Sequence, residues 1–158
     1  MTTSSVLSEE KQAISDLHIG SAALLDDGRF QEWASLFSDD AKYELLFRSA
    51  EIGGIEDYLM RYDKSELLRR VTLLPHYVTD TAKRLHIVSN IRVTLNGNSA
   101  SSESRLVVYR TTEDGRTGLY AVGRTVDTLI KTGERWLFRE RRIILDTRML
   151  EVHTHMPL

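Results

Sequence analysis

Hydrophobic residues in the first half of the chain recur every three to four positions, a spacing that predicts helices. One stripe contains five such positions: Ile14, Leu17, Ser21, Leu24 and Leu25. Ser8 before this stripe predicts an N-cap, and Gly28 after it predicts a stop. The same spacing over residues 30–37 predicts a second, short helix.

A strand and a further helical region complete the first half. Residues 41–47 follow an acidic turn and predict a strand. Gly53 and Gly54 then predict an interruption of the regular secondary structure. Helical periodicity predicts one or two helices over residues 55–74, and Pro75 closes that region because proline cannot continue a helix.

The second half changes to β-rich runs. Four runs are present: 84–95, 100–112, 117–131 and 135–147. Tight-turn signals, of which Asn96-Gly97 and Asp114-Gly115 are the strongest, separate them and predict an antiparallel meander. Each run is at least twice the usual strand length of about 5–6 residues. Strands this long must twist, so we expect an α+β cone with the N-terminal helices packed in a long, curved, mostly antiparallel sheet.

The last two strands carry apolar and charged residues on both faces. A sheet with one solvated face should alternate more sharply, so this mixture predicts that another subunit covers the outer face. The alternative is an untidy exposed face. Arginine is enriched at interfaces, and Arg124, Arg139 and Arg141 are therefore candidate interface residues.

Composition narrows the classes of function. The chain has 158 residues, a net charge of −2 and no cysteine. We expect one domain over residues 1–158 with residues 1–8 as a flexible tail. Neither a basic excess for nucleic acid nor an apolar run for a membrane is present, and no secretory signal is recognisable, so we expect a cytoplasmic location. Without cysteine, the chain itself can hold neither a disulfide nor a Cys-ligated cluster.

The five histidines offer few metal sites. No HxxxH or HExxH motif occurs. His153 and His155 would share one face of a strand and together could bind a metal, but a solvated pair is the favoured interpretation. His18, in the first helix, is expected to be capped or solvated. The prediction is that this chain holds no metal and no cofactor.

His86 is the residue most typical of catalysis. A histidine titrates near neutral pH and can act as a general base. Four side chains are available as its partners: Asp39, Tyr43, Tyr120 and Asp127. The competing interpretation, which we favour, gives His86 structural or interface hydrogen bonds.

Strand alternation separates His86 from its nearest nucleophile. His86 and Asn90 are predicted on one face of the strand and Ser89 on the other, which argues against a Ser–His pair. We therefore add His86 and Asn90 to the candidate interface residues.

Three blocks resemble one known family in their order and content: LLDDGRFQEWASLFSDDAKYELL over 24–46, RLHIVSNIRV over 84–93, and GLYAVGRTVDTLIKTGERWLFRERRIILDTRML over 118–150. They resemble the small (β) subunits of aromatic-ring-hydroxylating dioxygenases. One departure is Leu85, where that family commonly has a basic residue. The resemblance implies a cystatin-like cone of the NTF2-like and SnoaL-like superfamily.

The resemblance also implies a division of labour between subunits. The chain would be a non-catalytic structural subunit of an oligomer, typically α3β3. The large subunit would hold a Rieske [2Fe–2S] cluster and a mononuclear Fe(II). The alternative is a stand-alone isomerase, dehydratase or cyclase in which His86, Asp39 and Tyr43 perform acid–base chemistry. A ligand-binding module without chemistry is a third possibility.

Overall fold

The computed structural model describes residues 3–49 and 53–158 of the chain. Its helices are α1 (Thr3–Asp26), α2 (Phe30–Ala34) and α3 (Lys64–Tyr77). Its six strands follow in chain order: β1 (Phe37–Ser49), β2 (Ile55–Asp63), β3 (Lys83–Asn96), β4 (Ser99–Thr111), β5 (Thr117–Thr132) and β6 (Arg135–Leu145). Helix α1 begins before the predicted cap at Ser8 and includes residues 3–8.

The strands form one sheet in the order β2-β1-β6-β5-β4-β3. Strands β3 to β6 make the predicted antiparallel meander, and the predicted α+β class is confirmed. Strand β1 runs parallel to β6 and joins the first half of the chain to the meander. Sequential hairpins cannot produce a parallel pair, so this pairing had no local signal in the sequence.

An aromatic cluster fills the wide part of the cone. The rings of Trp33, Phe37 and Tyr43 meet edge to face, with Trp33 4.8 Å from Phe37 and 5.5 Å from Tyr43 between centroids. The Trp33 indole N–H donates to Ser21 Oγ at 3.0 Å, which ties α2 to α1. Burying each such ring stabilises the fold by about 1.5–3 kcal/mol. This cluster fixes the helices inside the curved sheet.

The helical prediction over residues 55–74 is wrong for its first half. Residues 55–63 form β2, which pairs antiparallel with β1. Gly53 and Gly54, both at positive φ, allow the tight reversal before it. Only from Lys64 is the chain helical, with the Asp63 carboxylate accepting the Glu66 N–H at 2.8 Å as an N-cap. Sheet pairing has overridden local periodicity here.

Asn90 interrupts the alternation of β3. It has φ of 52°, and the pairing of β3 with β4 shifts between Ser89 and Arg92. This is a β-bulge, which places an extra residue on one strand. His86 is buried while Asn90 is exposed, so the prediction that they form one polar row is wrong.

Candidate functional site

The side chain of His86 binds a carboxylate from another element. Its Nδ1 lies 2.6 Å from Oδ1 of Asp26, the last residue of α1. The backbone N–H of His86 also donates to both Asp26 oxygens, at 3.0 and 3.1 Å. Asp26 thus holds the end of α1 on strand β3. Two blocks of the family resemblance meet at this contact, since Asp26 lies in the LLDDG segment and His86 in RLHIVSN.

The predicted partners of His86 have other roles. Asp39 is exposed near the start of β1. Tyr43 is fully buried, and its hydroxyl donates to the carbonyl of Leu158 at 3.3 Å and accepts the Leu158 N–H at 3.0 Å. Burial raises the pKa of Tyr43 well above its ordinary value. A phenol that holds its proton this firmly is a poor acid–base group, so the structure does not assemble the predicted trio.

Replacing Asp26 should destabilise the protein, whereas replacing its sequence neighbour Asp27 should not. Asp26→Ala removes three hydrogen bonds to a carboxylate and should lower the free energy of unfolding by about 2–3 kcal/mol. Asp27→Ala is the matched control, because Asp27 is exposed and such changes stay within about 0.5 kcal/mol. Urea denaturation of both variants measures the difference. Equal values for the two would show that the carboxylate does not clamp α1.

A second polar group lies in the interior of the cone. His18 is fully buried, contrary to the expectation of a capped or solvated side chain, and its Nε2 is 2.9 Å from Ser102 Oγ. The Asp127 carboxylate lies 3.7 Å from the same nitrogen and accepts from Thr125 Oγ1 at 2.8 Å. Burial, and secondarily the charge of Arg141, lowers the pKa of His18. The ring is therefore neutral, and its contact with Asp127 is not an ion pair.

Arg141 lies opposite Asp127 in the register of β5 and β6. Its guanidinium packs 4.5 Å from the centroid of the Phe138 ring. Its Nε and Nη1 atoms have no hydrogen-bond partner among the described residues, and neither has Asp127 Oδ1. Burial raises the pKa of Asp127, against smaller opposing effects of Arg141 and Thr125. The interior therefore holds charge that it solvates poorly.

The C-terminal segment closes the mouth of the cone. Arg84 Nη1 donates to Thr154 Oγ1 at 2.9 Å, and the Tyr120 hydroxyl donates to the Val152 carbonyl at 2.7 Å. Leu158 is only 1% exposed, and its carbonyl accepts a hydrogen bond from the Tyr43 hydroxyl. Surface clefts remain outside this cover, one of about 470 Å³ along Lys42, Tyr58 and other residues of β1, β2 and β6, and one of about 230 Å³ beside Asp26, Arg84 and His86. The polar interior is thus covered by the chain itself.

The candidate interface residues fall into two groups. His86 and Arg141 face the interior, with exposures of 7% and 3%, so they cannot reach a partner in this conformation. Arg124 lies on the outer face of the sheet, and Asn90 is exposed at the bulge. Arg139 is exposed and pairs with Asp40 at 2.8 Å. For Arg124, Arg139 and Asn90 the interface remains a prediction.

His153 and His155 lie side by side in the C-terminal segment. The rings of His153 and His155 are 5.1 Å apart between centroids. No group of three or more His, Asp or Glu side chains within residues 3–49 and 53–158 is placed to hold a metal ion. In the same part of the chain, no helix has the length and apolar character needed to cross a membrane.

Several known proteins are similar to this chain in sequence and in fold. The small subunit of anthranilate 1,2-dioxygenase from Burkholderia cepacia is 25% identical over 139 residues, 85% of this chain and 85% of that protein. Subunit beta of 2-aminobenzenesulfonate 2,3-dioxygenase from Alcaligenes is 26% identical, over 92% of this chain and 97% of that protein. A Novosphingobium aromaticivorans structure assigned as a ring-hydroxylating dioxygenase beta subunit has a TM-score of 0.84 and 28% identity, covering 96% and 99%.

These relatives confirm the resemblance and the fold predicted from the three blocks. The family model of the SnoaL-like domain matches residues 7–142. This match spans most of the chain and includes every helix and strand from α1 to β6 in whole or in part. The chain therefore belongs to the SnoaL-like domain family.

Proposed function

We propose that this chain is the non-catalytic small subunit of a multicomponent aromatic-ring-hydroxylating oxygenase. The observation that carries the proposal is the closure of the cone: Tyr43, Arg84 and Tyr120 all bind the C-terminal segment across its mouth. The polar groups inside the cone, His18, Tyr43 and Asp127, are only 0%, 0% and 2% exposed, and a small molecule needs an accessible pocket to reach such groups. The names of the relatives, subunits of dioxygenases, support a role in assembly.

A stand-alone enzyme on this cone is not favoured. Its proposed base, His86, has a buried Nε2 without a hydrogen-bond partner among the described residues, and its Nδ1 is committed to Asp26. The proposed acid Asp39 is exposed, whereas Tyr43 is buried under Leu158. Catalytic groups must lie within hydrogen-bond reach of one substrate, and these three do not share a site.

The iron centres belong, in this proposal, to the large subunit. A Rieske cluster needs two cysteine and two histidine ligands, and this chain has no cysteine. Its residues therefore do not fit the cluster, and no step of the oxygenation is assigned to them. The large subunit would carry the Rieske cluster and the mononuclear Fe(II), and three copies of each chain would form α3β3.

Co-expression with a large subunit encoded beside this chain tests the proposal. The two chains should co-purify in equal amounts, with iron in the complex and aromatic oxidation dependent on a reductase and NADH. The isolated chain should contain no stoichiometric iron and oxidise no aromatic compound. Native mass spectrometry measures the stoichiometry.

Two outcomes would contradict the proposal. The first is stoichiometric iron in the pure chain. The second is turnover of a small molecule by the isolated chain that His86→Ala abolishes, because a scaffold with that substitution loses stability or assembly instead.

A further inference from the structure

An apolar patch lies on the outer face of β3, β4 and β5. The strand register forms two rows of three side chains: Leu85, Tyr109 and Leu119 in one, Ile87, Val107 and Val122 in the other. Leu85, Ile87 and Leu119 are 54%, 44% and 59% exposed. Contiguous exposed apolar side chains of this kind mark interaction sites. We call this set the apolar patch.

Two arginines border the apolar patch. Arg105 of β4 and Arg124 of β5 lie directly opposite each other in the next row. Like charges at directly opposite positions destabilise a sheet. Among the described residues neither arginine has a carboxylate within ion-pair distance. The sheet therefore keeps a repulsive pair that no carboxylate of the described residues approaches within ion-pair distance.

The exposed face of α1 has the complementary chemistry. Five exposed residues at helical spacing form a stripe: Glu9, Gln12, Asp16, Ile19 and Ala23. Ile19 is 55% exposed. Asp16 accepts a hydrogen bond from Gln12 at 2.8 Å and has no basic partner among the described residues. We call this set the acidic stripe, since it combines two carboxylates with an exposed aliphatic side chain and carries no cation.

We infer that the acidic stripe of one copy docks on the apolar patch of the next copy, with Asp16 facing Arg105 and Arg124. Helix α1 lies on the concave side of the sheet, where His18 contacts Ser102, and the patch lies on the opposite side. The contact therefore joins two different surfaces, head to tail, and such contacts form a ring when the rotation between copies closes. A twofold contact between two patches would instead bring four arginines together. The inference rests on the proposed function, in which several copies share one assembly.

A charge swap tests this contact in the full chain. Light scattering after gel filtration should give the isolated wild type a mass of about three chains, as a closed ring of three copies joined by this contact requires. Arg105→Glu with Arg124→Glu should reduce the mass to one chain, and Asp16→Arg should weaken association at least tenfold. Combining the three substitutions in one chain should restore the larger mass. Arg135→Glu, at the exposed β5–β6 turn, makes the same charge change away from the patch and should change nothing.

Three outcomes would overturn the inference. One is a monomeric wild type, and another is a mass unaffected by the arginine substitutions while circular dichroism shows a folded chain. The third is retained self-association with loss of the large subunit, which would assign the patch to that partner. If the charge swap behaves as expected but the wild type captures no large subunit, the proposed function fails and this contact stands.

Discussion

Gly123→Ala is expected to lower the free energy of unfolding by about 3 kcal/mol, at the upper end of the range for overpacked positions. Gly123 lies in the middle of β5, where β6 crosses very closely. A Cβ atom there would overlap the carbonyl oxygen of Ile144 and lie 3.0 Å from Leu145 Cα. Both neighbours are backbone atoms of a paired strand, so neither can rotate away. The β5–β6 pairing itself must open.

The same strand supplies the control for this prediction. Gly118 has no atom within 4 Å of its Cβ position, so Gly118→Ala should change stability by less than about 1 kcal/mol. Urea denaturation of the two alanine variants gives the comparison directly. If Gly123→Ala is as mild as Gly118→Ala, the close approach of the two strands does not exist in solution.

Asp127 and His18 should give the stability of the protein two opposing dependences on pH. Burial raises the pKa of Asp127 from 3.8 to about 6. Between these values the folded protein keeps a proton that the unfolded chain has lost. The contribution of Asp127 is therefore most favourable below pH 3.8 and falls as the pH rises through 6, by about 3 kcal/mol in all.

His18 acts in the opposite direction over the same range. Burial, with help from the charge of Arg141, lowers the pKa of His18 from 6.5 to about 3. Below pH 6.5 the unfolded chain binds a proton that the folded protein refuses. Stability is therefore lost as the pH falls from 6.5 towards 3. Between pH 4 and 6 the two contributions nearly cancel in the wild type.

Single substitutions should separate the two slopes. As the pH rises from 4 to 6, the free energy of unfolding of Asp127→Asn should increase by about 3 kcal/mol relative to that of the wild type, because the variant lacks the contribution that falls over this range. His18→Gln, which keeps a polar group near Ser102, should lose about the same amount over that range. Urea denaturation at several pH values measures both. Identical pH profiles for the variants and the wild type would refute the burial of these two groups.

Local signals in the sequence were sufficient for the meander but not for the edge strand. Gly97 and Gly115 adopt positive φ at the turns, and these turns force neighbouring antiparallel strands. Residues 55–63 combine the spacing of a helix with a position beside β1. They pair with β1 because the glycine turn reverses the chain and because that edge of β1 has no other partner strand. Neither cause leaves a mark in the hydrophobic periodicity of residues 55–63. The error is therefore confined to the place where tertiary context decides.

The candidate site shows the same limit. The sequence singled out His86, but its partner Asp26 lies 60 positions away and in a helix. Both residues lie in segments that carry the family resemblance, but nothing in the sequence pairs one with the other. Arg141 is a candidate interface residue in the sequence only because arginine is enriched at interfaces. In β6 the register skips Arg139, since Thr128 and Leu129 of β5 pair with Glu140 and Phe138, and Arg139 is exposed whereas Arg141 is buried. Irregularities of one residue reverse the direction of a side chain, and periodicity does not reveal them.

The bulge at Asn90 has a consequence for how the protein behaves at high concentration. Strand β3 is an edge of the sheet, and a long, regular edge is a template for the strands of other molecules. The left-handed backbone of Asn90 breaks that template near its middle. Asparagine tolerates this conformation better than most residues, whereas a β-branched residue would favour a straight strand. The bulge thus protects this edge of the sheet against amyloid-like stacking.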